Sequence, residues 1–271
     1  MDDLLTLDAV TMRFGGLTAV NGLSMSVKRG TIHALIGPNG AGKSTVFNCV
    51  SRIYRPTEGR IRFDGRDVTG LPAHAMAGLG IARTFQNLEL FNELTVLENV
   101  MLGAYSRHET RLIDRLRPRS PKTRAWAEEI LEGTGLKDCR GTKANGLDFG
   151  RQKLLEVARA LALSPTLLLL DEPAAGLRSR EIERLDAILT GLNRERGITV
   201  LLVEHVMQLV MSISDRITVL SFGEKIAEGT PEAVRGDPRV IEAYLGTRQP
   251  GETAHGAAGH GEAGHGEAAH G

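Results

Sequence analysis

Apolar and polar positions follow two different periods along this chain. Alternation at residues 5–10 and 23–27 predicts two strands that each bury one face. Largely apolar runs without alternation, at 32–36, 167–170 and 199–203, predict strands that are buried on both faces, as in the centre of a parallel sheet. Segments with helical spacing separate these runs. The pattern therefore predicts an α/β protein with a buried parallel sheet.

Shorter elements complete this outline. A further strand is expected at 59–64, and a closing hairpin is expected at 217–220 and 225–227. Thr95 and Glu98 form a capping-box pattern that opens an apolar helix. The other helices are expected at about 44–52, 122–132, 147–163, 181–194 and 231–244.

A glycine-rich segment between the strand at 32–36 and the next helix carries the first candidate chemistry. Its residues are Gly37, Pro38, Asn39, Gly40, Ala41, Gly42, Lys43, Ser44 and Thr45. Glycines let successive backbone N–H groups point at one anion, and a helix N-terminus adds partial positive charge. Lys43 can reach the β- and γ-phosphates of a nucleotide, and the Ser44 hydroxyl suits Mg²⁺. The segment predicts a site for a nucleoside triphosphate.

Acidic and polar residues that follow later strands suit the same chemistry. Asp171 and Glu172 follow the leucine run, at the strand end where ligands bind in open α/β sheets. Opposite a phosphate loop, Asp171 is expected to hold Mg²⁺ and Glu172 to orient or deprotonate the attacking water. His205 follows the next strand, where it can donate a hydrogen bond to a γ-phosphate. Gln86 lies in a β-prone stretch, and its local sequence alone assigns it no role.

Two further residues have open interpretations. Phe14 lies between the first two strands, and it either stacks on an adenine or is a core residue at a strand end. Gly150 lies at the start of the helix that ends near 163, where free N–H groups can face an anion. The local pattern does not decide either position.

The composition narrows the class of protein. The 271 residues carry 33 basic and 33 acidic side chains, which argues against a nucleic-acid binder with a broad basic face. Cys49 and Cys139 are too few for a disulfide framework or a zinc cluster, so a reducing setting is expected. The acidic start at residues 1–3 lacks the order of a signal peptide, and no apolar run approaches the ~20 residues that span a bilayer. Any membrane role is therefore expected to depend on a partner.

Two segments differ in character from the rest of the chain. Residues 107–124 are rich in arginine and lysine; a solvated helix end and loop is favoured there, and contact with anionic lipid head groups is the alternative. Residues 247–271 have no core-forming side chains, and histidines recur there at every fifth position among Gly, Ala and Glu. That composition predicts a disordered tail, with weak metal binding as the alternative.

Taken in chain order, these motifs resemble the ATPase subunit of ATP-binding cassette (ABC) transporters. The matching motifs are Walker A with Lys43, the Q-loop with Gln86, the signature at 147–152, Walker B with Asp171 and Glu172, and the switch histidine His205. The resemblance covers residues 4–246. The chain is most similar to the ATPase subunits of branched-chain amino acid importers in the segments 13–17, 83–87, 171–177, 203–205 and 237–246.

The resemblance implies a fold and a set of cofactors. The fold is a RecA-like P-loop NTPase core with an N-terminal antiparallel β subdomain, in one ABC ATPase domain at 1–246. A helical signature subdomain is inserted at about 87–160. The cofactors are ATP and Mg²⁺, with Ser44, Gln86 and Asp171 at the metal. The catalytic residues implied are Lys43, Gln86, Glu172 and His205.

The resemblance also implies partners. Two different ATPases pair head to tail, and Gly150 of one subunit contacts the ATP held by the other. Integral-membrane permease subunits meet the surface formed by Gln86 and residues 88–94, at the cytoplasmic face of the inner membrane. A periplasmic solute-binding protein delivers branched-chain amino acids or related small polar solutes, and no nucleic acid takes part.

Three positions depart from the family pattern. Asp148 stands where a small residue is usual, Arg151 where glutamine is usual, and Arg178 where asparagine or aspartate is usual. An acid at 148 would repel the γ-phosphate of the partner's ATP, and Arg151 would offset part of that repulsion. One alternative is therefore a nucleotide-gated subunit with weak hydrolysis. Another is a soluble cassette ATPase acting on DNA or ribosomes, against which the chain has no second cassette and no room for a long coiled coil.

Overall fold

The computed structural model describes residues 2–85, 88–108 and 121–245. Gln86, the predicted tail and most of the basic segment at 107–124 lie outside these ranges. Within them the chain forms two β-sheets and nine α-helices. No helix in these ranges is both long enough and apolar enough to cross a membrane.

The first sheet is antiparallel. Its strands are β1 (Asp3–Phe14), β2 (Leu17–Lys28), β4 (Glu58–Phe63) and β5 (Arg66–Asp67), which lie in the order β2-β1-β4-β5. β1 and β2 are longer than predicted, because Gly15 and Gly16 form a two-residue turn that lets Phe14 pair directly with Leu17. Gly15 has a φ of 56°, a value that favours glycine at such a turn.

The second sheet contains the predicted parallel strands. Its members are β3 (Ile32–Ile36), β6 (Ile81–Arg83), β7 (Leu167–Asp171), β8 (Thr199–Val203), β9 (Arg216–Ser221) and β10 (Glu224–Gly229). They lie in the order β10-β9-β3-β8-β7-β6. Neighbours are parallel except β9 and β10, which form the predicted hairpin. The predicted bounds of β3 and β8 are confirmed.

The helices include a counterpart for each predicted one, the last as two separate helices, and two that the sequence pattern does not predict, at 74–79 and 207–213. They are α1 (Lys43–Val50), α2 (His74–Leu79), α3 (Val96–His108), α4 (Pro121–Gly133), α5 (Phe149–Leu161), α6 (Ser179–Arg196), α7 (Met207–Ile213), α8 (Pro231–Arg235) and α9 (Pro238–Leu245). The capping box is confirmed, because Thr95 Oγ1 accepts from Glu98 N–H and Thr95 N–H donates to Glu98 Oε2. One helix over 231–244 is wrong: Gly236 ends α8, and Pro238, which has no backbone N–H, begins α9.

Two hydrophobic cores lie on opposite faces of the second sheet. Leu167 and Leu169 of β7 belong to the core shared with the antiparallel sheet, whereas Leu168 and Leu170 belong to the core shared with the helices. All four side chains are fully buried. Burial on both faces explains why the leucine run does not alternate. α3, α4 and α5 pack together in the chain between β6 and β7, and their hydrophobic residues join the helical core.

Candidate nucleotide site

The glycine-rich segment connects β3 to α1 and bends at three glycines. Gly37, Gly40 and Gly42 have φ values of 152°, 79° and 100°, in a region that glycine occupies far more readily than other residues. Space also excludes a side chain at two of them. A Cβ on Gly37 would lie 2.1 Å from Leu220 O, and a Cβ on Gly42 would lie 2.5 Å from Ala19 O. β9 and β2 therefore pack closely against the loop from two directions.

Lys43 is the first residue of α1, and its side chain folds back over the loop. Nζ donates to Gly37 O at 2.7 Å and to Pro38 O at 2.9 Å. Burial lowers the pKa of Lys43, and the nearby carboxylates of Glu172 and Asp171 oppose that change. The loop carbonyls and these two acids therefore place a cationic side chain at the centre of the loop, where it can meet phosphate oxygens.

Asp171 ends β7 and uses only one carboxylate oxygen among the described residues. Oδ2 lies 2.7 Å from Arg83 Nη2, while Oδ1 is buried and has no hydrogen-bond partner in the described part of the chain. Burial raises the pKa of Asp171, and the hydrogen bond and charge of Arg83 oppose that increase. A buried carboxylate oxygen that lacks a partner is a suitable ligand for Mg²⁺, so the site fits this metal.

The protein supplies few ligands beyond this oxygen and the Ser44 hydroxyl. No cluster of three or more His, Cys, Asp or Glu side chains suited to a metal occurs among the described residues. Mg²⁺ commonly keeps several waters and binds substrate phosphates together with one or two carboxylates. The donor set therefore favours a metal that arrives with a nucleotide over a metal held by the protein alone.

Arg83 joins the Walker B acid to the helix that follows the P-loop. Its guanidinium donates to Asn48 Oδ1 at 2.7 Å and to Ser51 Oγ at 2.8 Å, in addition to Asp171. It also lies 5.6 Å and 5.4 Å from the ring centroids of Phe47 and Phe85. Sequence patterns give no signal for this role, because the contact requires β6 to lie beside β7.

Glu172 and His205 follow neighbouring parallel strands, β7 and β8, and lie close together. His205 Nδ1 is 3.8 Å from Glu172 Oε2. Glu172 has a φ of 49°, which is unusual for a residue with a Cβ. Backbone strain of this kind costs about 1–3 kcal/mol and is concentrated at functional sites. The structure thus brings the acid pair, Lys43 and His205 to one edge of the sheet.

A cavity of about 440 Å³ lies in front of the loop. It is lined by residues 39–45, by Leu17, Thr18 and Ala19 of β2, by Glu172 and by Phe222. Its volume is in the range of small-molecule sites. The residues expected to hold phosphates and the acid expected to handle water therefore share one cavity.

Two phenylalanines near the nucleotide cavity are placed differently. Phe14 ends β1 and is not among the lining residues; its ring contacts Tyr54 edge to face, with 5.2 Å between the centroids. Phe222 lies in the turn between β9 and β10, lines the cavity and is 91% exposed. Gly223 N–H donates to Ala41 O at 3.0 Å, which fixes this turn against the loop. Local sequence gives no signal for Phe222, because its place depends on β9 lying beside β3.

Gly150 lies outside the nucleotide cavity. It is the second residue of α5 and lines a separate pocket with Asp148, Arg151 and Glu181. Asp148 caps the helix, since its Oδ1 accepts from Arg151 N–H at 2.8 Å. A Cβ on Gly150 would lie 2.3 Å from Glu181 Oε1, so a larger residue would require the Glu181 side chain to move. Within one chain, the structure does not bring Gly150 to the P-loop.

The Q-loop glutamine, Gln86, lies outside the described residues, but the residue before it is placed. Phe85 N–H donates to Glu156 Oε1 of α5 at 2.8 Å. Burial raises the pKa of Glu156, and the Phe85 hydrogen bond opposes this change. The segment leading to Gln86 is thereby tied to the signature helix through Phe85 and to Asp171 through Arg83.

A P-loop after a central parallel strand, with an acid pair at the end of another strand of the same sheet, defines the class of P-loop nucleoside triphosphatases. Comparison with known families narrows this class. The family described as "ABC transporter" matches residues 20–175. The family described as "Branched-chain amino acid ATP-binding cassette transporter" matches residues 224–249.

Individual proteins of known family are also similar to this chain. The high-affinity branched-chain amino acid transport ATP-binding protein BraF of Pseudomonas aeruginosa is 45% identical over 249 residues, which cover 90% of this chain and 98% of BraF. LivG of Escherichia coli K12, which carries the same description, is 43% identical with the same coverage. Among solved structures, the ADP conformation of MJ1267, an ATP-binding cassette of an ABC transporter, has a TM-score of 0.82 and 33% identity, covering 91% of this chain and all of that one.

A dimeric bacterial ABC transporter cassette, MJ0796, has a TM-score of 0.75 and 29% identity, covering 84% of this chain and 98% of that one. The chain belongs to the ABC transporter family and is an ATP-binding subunit that hydrolyses ATP. The family and the fold class predicted from the sequence are confirmed.

Proposed function

We propose that this chain is the ATP-hydrolysing subunit of an importer for branched-chain amino acids. The observation that carries the proposal is the similarity to BraF along 98% of that protein, together with the match of residues 224–249 to the branched-chain amino acid family. Separate permease subunits would form the path for the solute. The chain would therefore act at the cytoplasmic face of the inner membrane, through contact with those permeases.

The proposed chemistry begins with phosphate binding. Lys43 and the loop N–H groups bind the β- and γ-phosphates of ATP. Glu172 orients a water molecule and accepts its proton as the water oxygen attacks the γ-phosphorus, while the bond to the bridging oxygen of ADP breaks. His205, 3.8 Å from Glu172, donates a hydrogen bond to the γ-phosphate.

The remaining proposed contacts complete the site. Bound Mg²⁺ neutralises charge on the phosphates, and Ser44, Asp171 and Gln86 are the residues proposed to hold it. Phe14 is the residue proposed from the sequence for adenine stacking, and Phe222 is a second candidate because it lines the cavity. These roles fit the arrangement of Lys43, Ser44 and Glu172 around one cavity, with Asp171 directly before Glu172 in the chain.

The assembly is proposed to be a head-to-tail pair of two different ATPases. In that pair, the α5 start with Gly150 faces the ATP held by the partner, which agrees with the place of Gly150 in a pocket separate from the P-loop cavity of its own chain. The dimeric cassette among the similar structures supports the pairing of two cassettes. A periplasmic solute-binding protein would deliver the solute to the permeases.

Reconstitution tests this function. The complex that co-purifies with the chain is placed in liposomes, and ATP binding, ATP hydrolysis and uptake of labelled leucine are measured. Lys43→Ala is expected to lose tight ATP binding, whereas Glu172→Gln is expected to keep binding and to lose hydrolysis and uptake. Glu195→Gln, an exposed change on α6, is the matched control. Uptake of a sugar but not of leucine would contradict the proposed solute class.

Asp148 favours a second candidate, a nucleotide-gated subunit that hydrolyses slowly. Its carboxylate is largely exposed at the start of α5, and Arg151 Nε lies 3.5 Å away. A negative charge near the partner's γ-phosphate would weaken dimer closure. If the reconstituted complex hydrolyses ATP at the same rate with wild type and with Glu172→Gln, the nucleotide-gated subunit is favoured over the ATP-hydrolysing subunit.

A further inference from the structure

Glu204 is a fully buried acid that the proposed mechanism does not use. It follows β8 directly and has no exposed surface. Its Oε1 accepts from Ala174 N–H at 2.7 Å, and its Oε2 accepts from His205 N–H at 2.8 Å and from Val206 N–H at 2.9 Å. A buried carboxylate is costly unless hydrogen bonds satisfy it, and these three bonds use both of its oxygens.

The three donors belong to the two segments that carry Glu172 and His205. Ala174 lies two residues after Glu172, in the segment that follows β7. His205 and Val206 open the segment that follows β8. β7 and β8 are paired in parallel, and Glu172 N–H donates to Val203 O at 2.9 Å. The Glu204 carboxylate therefore joins the two segments beyond the point where strand pairing ends.

We propose that Glu204 is a positioning residue that holds His205 beside Glu172, an inference that rests on the roles proposed above for those two residues. The imidazole of His205 is largely exposed, and its Nδ1 lies 3.8 Å from Glu172 Oε2 and 3.9 Å from Glu204 Oε2, distances that are too long for a hydrogen bond. Its backbone, in contrast, is fixed by Glu204, and the same carboxylate fixes the segment after Glu172. The 3.8 Å separation of Nδ1 and Oε2 follows from this shared anchor.

Only a carboxylate provides this arrangement. All three partners are N–H donors, so both side-chain oxygens must act as acceptors. In Glu204→Gln one oxygen becomes an amide group, which is a donor and would face an N–H group. Either the bond to Ala174 or the pair of bonds to His205 and Val206 is then lost. Glu204→Ala removes all three bonds and leaves room for water at the freed N–H groups.

A role that acts through His205 differs measurably from a purely structural role. If Glu204 works by placing His205, its substitution has no further effect on turnover once the imidazole is gone. Mutations at residues in contact are non-additive in this way when they share one function. A structural role would instead lower the melting temperature and would slow the enzyme equally with or without His205.

The first test follows the anchor itself, by hydrogen–deuterium exchange of the full chain. Glu204→Gln and Glu204→Ala are expected to speed exchange in a peptide covering 204–208, relative to wild type and to the exposed control Glu195→Gln. Exchange within β8 is expected to stay unchanged. Equal exchange in all four proteins overturns the proposal, whatever the activity. This measurement needs no ATP hydrolysis, so it remains informative if the proposed function fails.

The second test is a double-mutant cycle on ATP hydrolysis. Glu204→Gln and Glu204→Ala are each expected to lower kcat by at least about tenfold with KM for ATP nearly unchanged, since a misplacement of ~1 Å can cost ~100-fold. Neither change is expected to slow the His205→Ala enzyme further. An equal fold-loss in the two backgrounds, or a rise in KM with kcat unchanged, overturns the proposal. If wild type and Glu195→Gln also show no ATP hydrolysis, the result counts against the proposed function instead.

Discussion

Arg83 Nη2 lies 2.7 Å from Asp171 Oδ2, and the two side chains form an ion pair that is almost completely buried. The pair joins the end of β6 to the end of β7. Arg83 also holds Asn48 and Ser51, so the Walker B acid is connected to the helix that follows the P-loop. The other oxygen, Asp171 Oδ1, has no hydrogen-bond partner in the described part of the chain and could bind a metal.

Loss of Arg83 is expected to destabilise the fold strongly. Arg83→Met leaves the Asp171 carboxylate buried without its partner, and breaking a buried pair in this way costs about 3–5 kcal/mol of unfolding free energy. Urea denaturation measures this cost. In Arg83→Met with Asp171→Asn, part of the stability is expected to return, because the unpaired charge is gone. Two additive losses would show that the pair does not interact as the structure indicates.

The P-loop and the central strands could be predicted from sequence because their determinants are local. β3 and β8 are apolar apart from His33 and Thr199, and Gly37, Gly40 and Gly42 are typical of a phosphate-binding loop. The sequence pattern does not predict the α8–α9 break, because helical spacing continues across Gly236 and Pro238, the residues that mark it. Arg83, Glu204 and Phe222 could not be predicted as site residues. Their partners come from strands that are neighbours in the sheet but distant in sequence.

Phe222 is expected to contribute more to nucleotide binding than Phe14, because its ring lines the cavity while the Phe14 ring packs on Tyr54. Base stacking on an aromatic ring is worth about 1–3 kcal/mol, so Phe222→Ala should raise the Kd for ATP at least about fivefold. The Kd for tripolyphosphate, which has no base, should change little. Phe14→Ala is the matched control.

Fluorescence distinguishes the two rings directly. The chain has one tryptophan, Trp126, which lies in α4, so a Trp126→Phe background is free of tryptophan emission. In that background, the emission of Phe222→Trp should change on adding ATP and should change less on adding tripolyphosphate. A response from Phe14→Trp alone would assign the base to Phe14, which is one of the two sequence interpretations of that residue.

His33 is expected to make stability depend on pH. It is buried in β3, its Nε2 lies 2.8 Å from Thr218 Oγ1, and burial lowers its pKa from 6.5 to about 4. The unfolded chain therefore binds the proton more tightly. The neutral His33 side chain makes its full contribution to the free energy of unfolding above pH 6.5. As the pH falls to about 4, the free energy of unfolding decreases by about 3 kcal/mol. Urea unfolding measures this loss. Between pH 6.5 and about 4, the free energy of unfolding of His33→Gln should decrease by about 3 kcal/mol less than that of wild type.

Asp148 is expected to oppose self-association of this chain. In a head-to-tail homodimer both ATPs would face an Asp148 carboxylate, and two like charges 4 Å apart repel by about 1 kcal/mol in water and about 4 kcal/mol at an effective dielectric of 20. In the Glu172→Gln form, which should retain ATP, Asp148→Ser is expected to increase the dimer fraction measured by sedimentation with ATP. Serine can also cap α5, so the stability of the helix should be retained.

The control for this prediction is Asp138→Ser, which removes an exposed acid in the segment between α4 and α5. It should leave the dimer fraction unchanged, because Asp138 is not in the pocket that contains Gly150. Arg151 is the competing influence, since its Nε lies 3.5 Å from Asp148 Oδ2 and can neutralise the carboxylate. Arg151→Gln should therefore weaken ATP-dependent association while Asp148 is present and should have little effect in Asp148→Ser. Equal dimer fractions for all of these proteins would mean that the Asp148 charge does not act on the partner's nucleotide.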